Sequence, residues 1–170
     1  MIVLKNSHQL ARMKEAGAIS ADALQLAGSL IEPGITTAEI DNILREFILK
    51  QGAKPSFLNY NGYPASACIS VNNVVIHGIP GKYKLKSGDI VSVDVGAFYE
   101  GFHGDNAATF PCGQVSEEAQ RLIDTTRECL YKGIAAAQAG ARLGDIGHAI
   151  QQYAEDRGYS VVRQYIGHGV

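Results

Sequence analysis

Asp89-Ile-Val-Ser-Val-Asp94-Val-Gly-Ala-Phe-Tyr-Glu100-Gly101-Phe-His-Gly-Asp105-Asn-Ala-Ala-Thr-Phe110 is the stretch on which the fold turns. Its first part alternates. Val91, Val93 and Val95 fall on one side, and Ile90, Ser92, Asp94 and Gly96 on the other. Successive side chains of a strand point to opposite faces, so this predicts a strand over 89–98. Tyr99-Glu100-Gly101 turns the chain, and residues 102–110 return as an antiparallel partner. A turn at Glu100-Gly101 brings Asp94 and Asp105 to nearby places on adjacent strands. Aspartate is uncommon in strands, and a buried charge needs a partner or a metal. Two carboxylates side by side repel, and a divalent cation between them removes the repulsion. The same pattern also describes a hairpin with two solvent-facing aspartates.

Outward from this hairpin the pattern is helical on both sides. Upstream, Leu10, Met13, Gly17, Ser20, Leu24, Ala27 and Ile31 recur at steps of three and four, predicting a helix over 7–31 with a small-residue stripe. Pro33-Gly34 ends it. Thr36 and Glu39 form a capping box for a second helix, whose face is Ile40, Ile43, Leu44, Phe47 and Ile48 and whose stop is Gly52. Short strands are expected over 67–71 and 74–77, around the turn signal Asn72-Asn73. Downstream, a helix starts at Ser116-Glu117-Glu118, buries Leu122, Ile123, Cys129, Leu130 and Ile134, and breaks at Gly140. A fourth helix is expected over 144–157, and a Val- and Tyr-rich strand over 159–166.

A repeat runs through this order. A shift of 106 positions brings Gly34 onto Gly140, Ile40 onto Ile146, Leu44 onto Ile150, Phe47 onto Tyr153 and Gly52 onto Gly158. The matching helix–helix–strand order points to duplicated αβ halves. The first repeat covers about 6–110. The second, about 112–170, is partial and has no counterpart of the strands over 65–110. The expectation is therefore an α+β fold in a single incomplete domain over 1–170.

The bulk properties narrow the function. The chain has 170 residues, 46% of them hydrophobic and 19% charged, with a net charge of −2, which lacks the basic footprint of a nucleic-acid binder. No apolar run approaches the ~20 residues that span a bilayer, and the first residues do not read as a secretion signal. Cys68, Cys112 and Cys129 are odd in number, widely spaced and without a Cys-x-x-Cys motif, which fits a reducing cytoplasm.

Other residues carry chemistry less specifically. His77 and His168 each end an apolar run and precede a glycine, where backbone can approach a ligand. A lone histidine there is more often a packing residue, yet imidazole is also the commonest metal ligand and a general acid–base. His103 lies two residues from Asp105 on the same face and ranks below them; His8 and His148 read as solvated helix positions. Phe57, Tyr60, Tyr63 and Cys68 are either packing under a loop or the wall of a small apolar pocket. The run Lys82-Tyr83-Lys84-Leu85-Lys86 reads as a solvated turn.

Taken together, Asn59-Tyr60-Asn61-Gly62-Tyr63-Pro64, the run from Val71 to Pro80, Val93-Asp94-Val95-Gly96, Gly101-Phe102-His103-Gly104-Asp105 and Ile166-Gly167-His168-Gly169 resemble the type I methionine aminopeptidases, of the pita-bread metallopeptidase fold. The resemblance runs along the whole chain. It implies a cytoplasmic hydrolase that takes methionine from the N-termini of nascent proteins or peptides, using two divalent ions (cobalt, manganese, iron or zinc). It implies that Asp94 ligates one ion, Asp105 bridges both, and His168 is the histidine ligand. His77 resembles the histidine that contacts the scissile amide. Tyr60, Tyr63 and Cys68 resemble walls of the methionine pocket, with Phe57 beside them.

The chain also departs from that family. The family's two glutamate ligands, its general base and its second active-site histidine follow the His168 motif and have no match here. The expectation is a fragment that is inactive as it stands and able to self-associate through an uncovered edge. Two other readings stay open: an Xaa-Pro aminopeptidase of the same fold, and a non-catalytic half-fold interaction module. The run from Val71 to Pro80 and the short N-terminus favour methionine.

Overall fold

The structure, a computed structural model, describes residues 3–165 and 167–170. The chain divides into two compact units, one up to Val115 and one over Ser116–Gly169.

In the first unit, α1 spans Ser7–Leu30 and α2 spans Thr37–Lys50. Both begin with a capping box, which satisfies backbone N–H groups that have no partner inside the helix. The Asn6 side chain accepts from Gln9 N while the Gln9 side chain accepts from Asn6 N. Thr36 and Glu39 do the same for α2, as the sequence predicts. Gly52, at φ +74°, ends α2. Its N–H donates to Leu49 O, and Ala53 N donates to Ile48 O.

Four strands follow: β1 (Lys54–Pro55), β2 (Ala67–Val71), β3 (Ile90–Tyr99) and β4 (Phe102–Pro111). They form one antiparallel sheet in which β3 pairs with all the others. Glu100 and Gly101 both have positive φ, +46° and +90°. That is the two-residue type I′ hairpin, whose twist matches the strands it joins. Val91, Val93, Val95 and Ala97 are fully buried, with Ile40, Leu44 and Ile48 of α2 in the same core. Burying each Val or Ile side chain stabilises by about 1.5–3 kcal/mol. The alternate residues of β3 are thereby left on the opposite face of the sheet.

Two expectations fail in this unit, each for a physical reason. The buried stripe of α1 is Ala16, Ser20, Ala23 and Ala27, whereas Leu10 is exposed. Close backbone approach, rather than bulk, selects the face. A Cβ on Gly104 of β4 would stand 2.1 Å from Ala16 O. Asn106 Nδ2 donates to Gly17 O at 3.3 Å and to Ser20 Oγ at 2.6 Å. Residues 74–77 form no strand: Val74, Val75 and Ile76 are exposed. Asn72 takes the left-handed conformation at φ +53°, and the returning chain meets β2 through Gly78, whose O accepts from Ile69 N at 2.8 Å.

Asp89 anchors the entry to β3. Its Oδ1 accepts from Asn72 Nδ2 at 2.8 Å, and its Oδ2 accepts from Tyr83 OH at 3.0 Å and Lys86 N at 2.9 Å. Burial pushes its pKa up, but the bonds from Asn72, Lys86 N and Tyr83 outweigh that and hold the carboxyl below its usual range. The folded pKa lies below the unfolded one, so the ionised group stabilises the fold above the unfolded pKa of about 3.9. That contribution is lost as pH falls through the folded value. Asp89→Asn should lower stability at neutral pH by about 2–3 kcal/mol and flatten the acid limb of the profile. Urea unfolding between pH 7 and pH 3 measures both; an unchanged acid limb would show that Asp89 does not control it.

In the second unit, α3 spans Glu117–Ala136, capped by Ser116, and α4 spans Leu143–Glu155. The α3 residues that become buried are Thr125, Cys129 and Gly133. Leu122, Leu130 and Ile134, expected inside, are exposed. A Cβ on Gly133 would stand 2.9 Å from Ile150 Cδ1, so here too a small residue marks the contact. Residues 159–165 are irregular rather than a strand, and Ile166 lies outside the described residues. β-propensity becomes a strand only beside a partner, and no described segment pairs with this one. The 106-residue shift reappears in the caps. Arg142 N donates to Asp145 Oδ2 as Thr36 N does to Glu39 Oε2. Gly158 N donates to Glu155 O, and Tyr159 N to Ala154 O, as Gly52 and Ala53 do in α2. Among the described residues, no helix is long and apolar enough to cross a membrane.

Candidate metal centre

The face of the sheet opposite Val91, Val93 and Val95 carries the chemistry. The register pairs Cys68 with Asp94, Asp94 with Ala107, and Gly96 with Asp105. Asp94 and Asp105 are therefore diagonal neighbours on one face, with Cys68 directly across from Asp94. The valines that alternate with Asp94 fill the core, so the packing that buries them also fixes which way Asp94 points.

Electrostatics bear out the proximity. The Cys68 thiol is pushed up by burial; its bond with Tyr63 opposes this, and the charges of Asp94, Asp105 and Asp41 add to it. The Tyr63 phenol is pushed up by burial, then by Cys68, then by the charges of Asp41 and Asp94. Both groups stay neutral at physiological pH. A thiol so raised is not a nucleophile. It is a wall.

The loop residues are placed as follows. Tyr63 OH lies 3.1 Å from Ala67 O and 3.0 Å from Gly78 O, which share its one hydrogen, spanning the start of β2 and the return at Gly78. Phe57 is half-buried, and a Cβ on Gly96 would stand 2.9 Å from its ring. Gly96 is the position where that loop comes down on the strand. Tyr60 is exposed. His77 is exposed and holds the left-handed conformation at φ +57°, uncommon for a residue with a side chain. His103 takes a local role: its Nδ1 lies 2.9 Å from Ser56 Oγ and its ring packs on Phe98. His168 belongs to the second unit and is exposed.

The donor set fits a divalent ion. Carboxylate oxygens suit hard divalent cations, and two facing one another repel without one. Among the described residues, however, no group of three or more His, Cys, Asp or Glu converges as a ready metal cage. Asp94 and Asp105 form a pair that needs further ligands.

The profile of metallopeptidase family M24 matches residues 11–170. The chain belongs to metallopeptidase family M24. Membership implies a divalent metal cofactor. Within M24, the chain is 54% identical to a methionine aminopeptidase of Clostridium perfringens, over all of this chain and 68% of that one. It superposes on the crystal structure of the methionine aminopeptidase from Thermotoga maritima with a TM-score of 0.97 and 44% identity, covering 100% of this chain and 69% of that one. An Xaa-Pro dipeptidase from Bacillus anthracis aligns with a TM-score of 0.82 but only 26% identity, covering 97% of this chain and 44% of that one. The M24 fold is thus the pita-bread architecture of duplicated αβ halves, of which this chain carries the first and part of the second.

Sequence reading misses two carboxylate anchors of the first unit. Asp41, on α2, accepts with Oδ1 from Ser66 N at 2.9 Å and Ala67 N at 2.8 Å. Burial pushes its pKa up, and those two bonds pull against the rise. The second is Asp89. Each sits where a solvated carboxylate is ordinary, and no local motif marks the backbone donors that reach it.

Proposed function

We propose that in its full-length form the protein removes methionine from the N-termini of nascent proteins and peptides, in the cytoplasm, by metal-dependent hydrolysis, the 170 residues of this chain matching 68% of a relative's length. What carries the reading is the sheet register, which sets Asp94 and Asp105 on one face beside Cys68 and Tyr63 in an M24 chain similar to methionine aminopeptidases. In this reading Asp94 holds one divalent ion, Asp105 bridges two, and His168 is the histidine ligand. The ions are drawn from cobalt, manganese, iron and zinc. When bound, they supply Lewis-acid polarisation of the scissile carbonyl and ease attack by water. His77 donates to the scissile amide and moves a proton at that atom. Phe57, Tyr60, Tyr63 and Cys68 enclose the methionine side chain, and the neutral state of Cys68 and Tyr63 suits an apolar guest. Residues 6–110 act as the first αβ repeat of one peptidase domain and residues 112–170 as part of the second, a division the shared caps support.

Release of methionine from Met-Ala peptides, compared with cleavage of Xaa-Pro peptides by the same metal-loaded enzyme, tests the reading. Turnover of Met-Ala peptides is expected; a preference for Xaa-Pro would overturn the assignment. Residues 1–170 produced alone should show no appreciable turnover. Asp94, Asp105 and His168 are three donors, and hydrolysis also requires a base for the water proton. Methionine release with added manganese, measured alongside bound metal, checks this, and turnover with two ions per chain would contradict it.

A further inference from the structure

His77 keeps a left-handed backbone at φ +57°, and the residue after it is fastened at both ends of its peptide unit. Gly78 N donates to Ser70 Oγ at 3.0 Å. Gly78 O accepts from Ile69 N at 2.8 Å and from Tyr63 OH at 3.0 Å. A Cβ on Gly78 would stand 2.4 Å from Ile69 O, so the returning chain lies against the β2 backbone. Ser70 is buried on β2, opposite Ser92 and two residues from Cys68 on the same face.

We propose that Ser70 is a positioning residue for His77: by accepting the Gly78 amide, its hydroxyl holds the His77 backbone left-handed and so fixes the imidazole beside the pocket. This rests on the reading of His77 as the group that acts on the scissile amide. The left-handed conformation costs a residue with a Cβ about as much as one hydrogen bond returns. Without an acceptor on Ser70, the Gly78 N–H loses its partner and His77 gains access to the broader extended region. The imidazole then samples positions away from the amide. Ser70 is not among the proposed metal ligands or pocket walls, so its effect should fall on turnover rather than on binding.

Ser70→Ala in the full-length, metal-loaded peptidase should lower kcat by about tenfold while KM stays within about twofold, since small misplacements of a reacting group cost rate. Bound metal should be unchanged. Combined with His77→Ala, it should add no further loss, because its route to the chemistry is gone. Nuclear magnetic resonance supplies a readout independent of activity. In Ser70→Ala the Gly78 amide should exchange faster with solvent, and the His77 HN–Hα coupling should move from its left-handed value towards an extended one. Unchanged Gly78 exchange and His77 coupling would overturn the clamp itself. An equal loss from Ser70→Ala in both backgrounds would show that Ser70 acts by another route. Wild-type turnover in His77→Ala would instead sink the catalytic role of His77 and leave the clamp to the resonance measurement.

Discussion

Replacing Asp105 by asparagine in the full-length enzyme is expected to cut kcat/KM on a Met-Ala peptide by at least about 100-fold, above what outer partners of metal ligands usually cost. Asparagine keeps the size of the side chain and removes its charge. Asp105 stands diagonal to Asp94 on a face with no other carboxylate at the paired positions, Cys68, Ala107 and Gly96. Losing that charge halves the anionic donors the sheet offers, and affinity for a hard divalent ion rests on ligand charge and number. Metal content measured on the purified variant should fall with activity. Tyr60→Phe is the contrast. Tyr60 is exposed and is proposed as a pocket wall rather than an ion ligand; its loss should be only a few-fold. Equal losses in the two variants, with bound metal unchanged in Asp105→Asn, would make Asp105 a structural residue.

Gly104→Ala should destabilise the fold by roughly 3 kcal/mol or more, the upper range for overpacking a core. The new methyl group would meet Ala16 O at 2.1 Å, Ala16 C at 2.4 Å and Gly17 N at 2.6 Å. All three are helix backbone, which cannot swing aside as a side-chain tip can. Either α1 lifts from the sheet or β4 bends. Bending β4 displaces Asp105, the next residue, so activity should fall with stability. Gly17→Ala is the control on the same helix. Nothing lies within 4 Å of its added Cβ, and Gly to Ala inside a helix stabilises by about 0.5–1 kcal/mol. Urea midpoints of the two variants should therefore move in opposite directions. A Gly104→Ala midpoint equal to that of the parent would show that α1 does not press on β4 as described.

Where the sequence was read correctly, the determinants are local. The capping box at Thr36 and Glu39, the stop at Gly52, the alternation of Val91, Val93 and Val95, and the turn at Glu100-Gly101 each rest on contacts within a few residues. Where it was misread, the determinant comes from a distant segment. Hydrophobic periodicity places Leu10 of α1 and Leu130 of α3 inside, yet both are exposed. Ala16, Ser20 and Gly133 make the contacts instead, because a helix approaches a neighbour most closely where its side chains are smallest. Residues 74–77 and 159–165 have strand composition without strand structure, since a strand exists only in a ladder.

For the site, the sequence by itself determined the pair. A hairpin of known turn and strict alternation brings Asp94 and Asp105 together on adjacent strands, because the period of a strand is two and the turn sets the register. It also determined the family, through motifs spread along the whole chain. Only the tertiary structure decided what surrounds the pair. Which face meets water follows from α1 and α2 covering the other one. The neutral state of Cys68 and Tyr63 follows from burial and from aspartate charges 22 or more residues away along the chain, Asp41 and Asp94 among them. The grip of Ser70 and Tyr63 on Gly78 joins segments 8 and 15 residues apart. Desolvation and through-space charge act along distances that the order of residues does not record, so the groups that tune the site become visible only once the chain has folded.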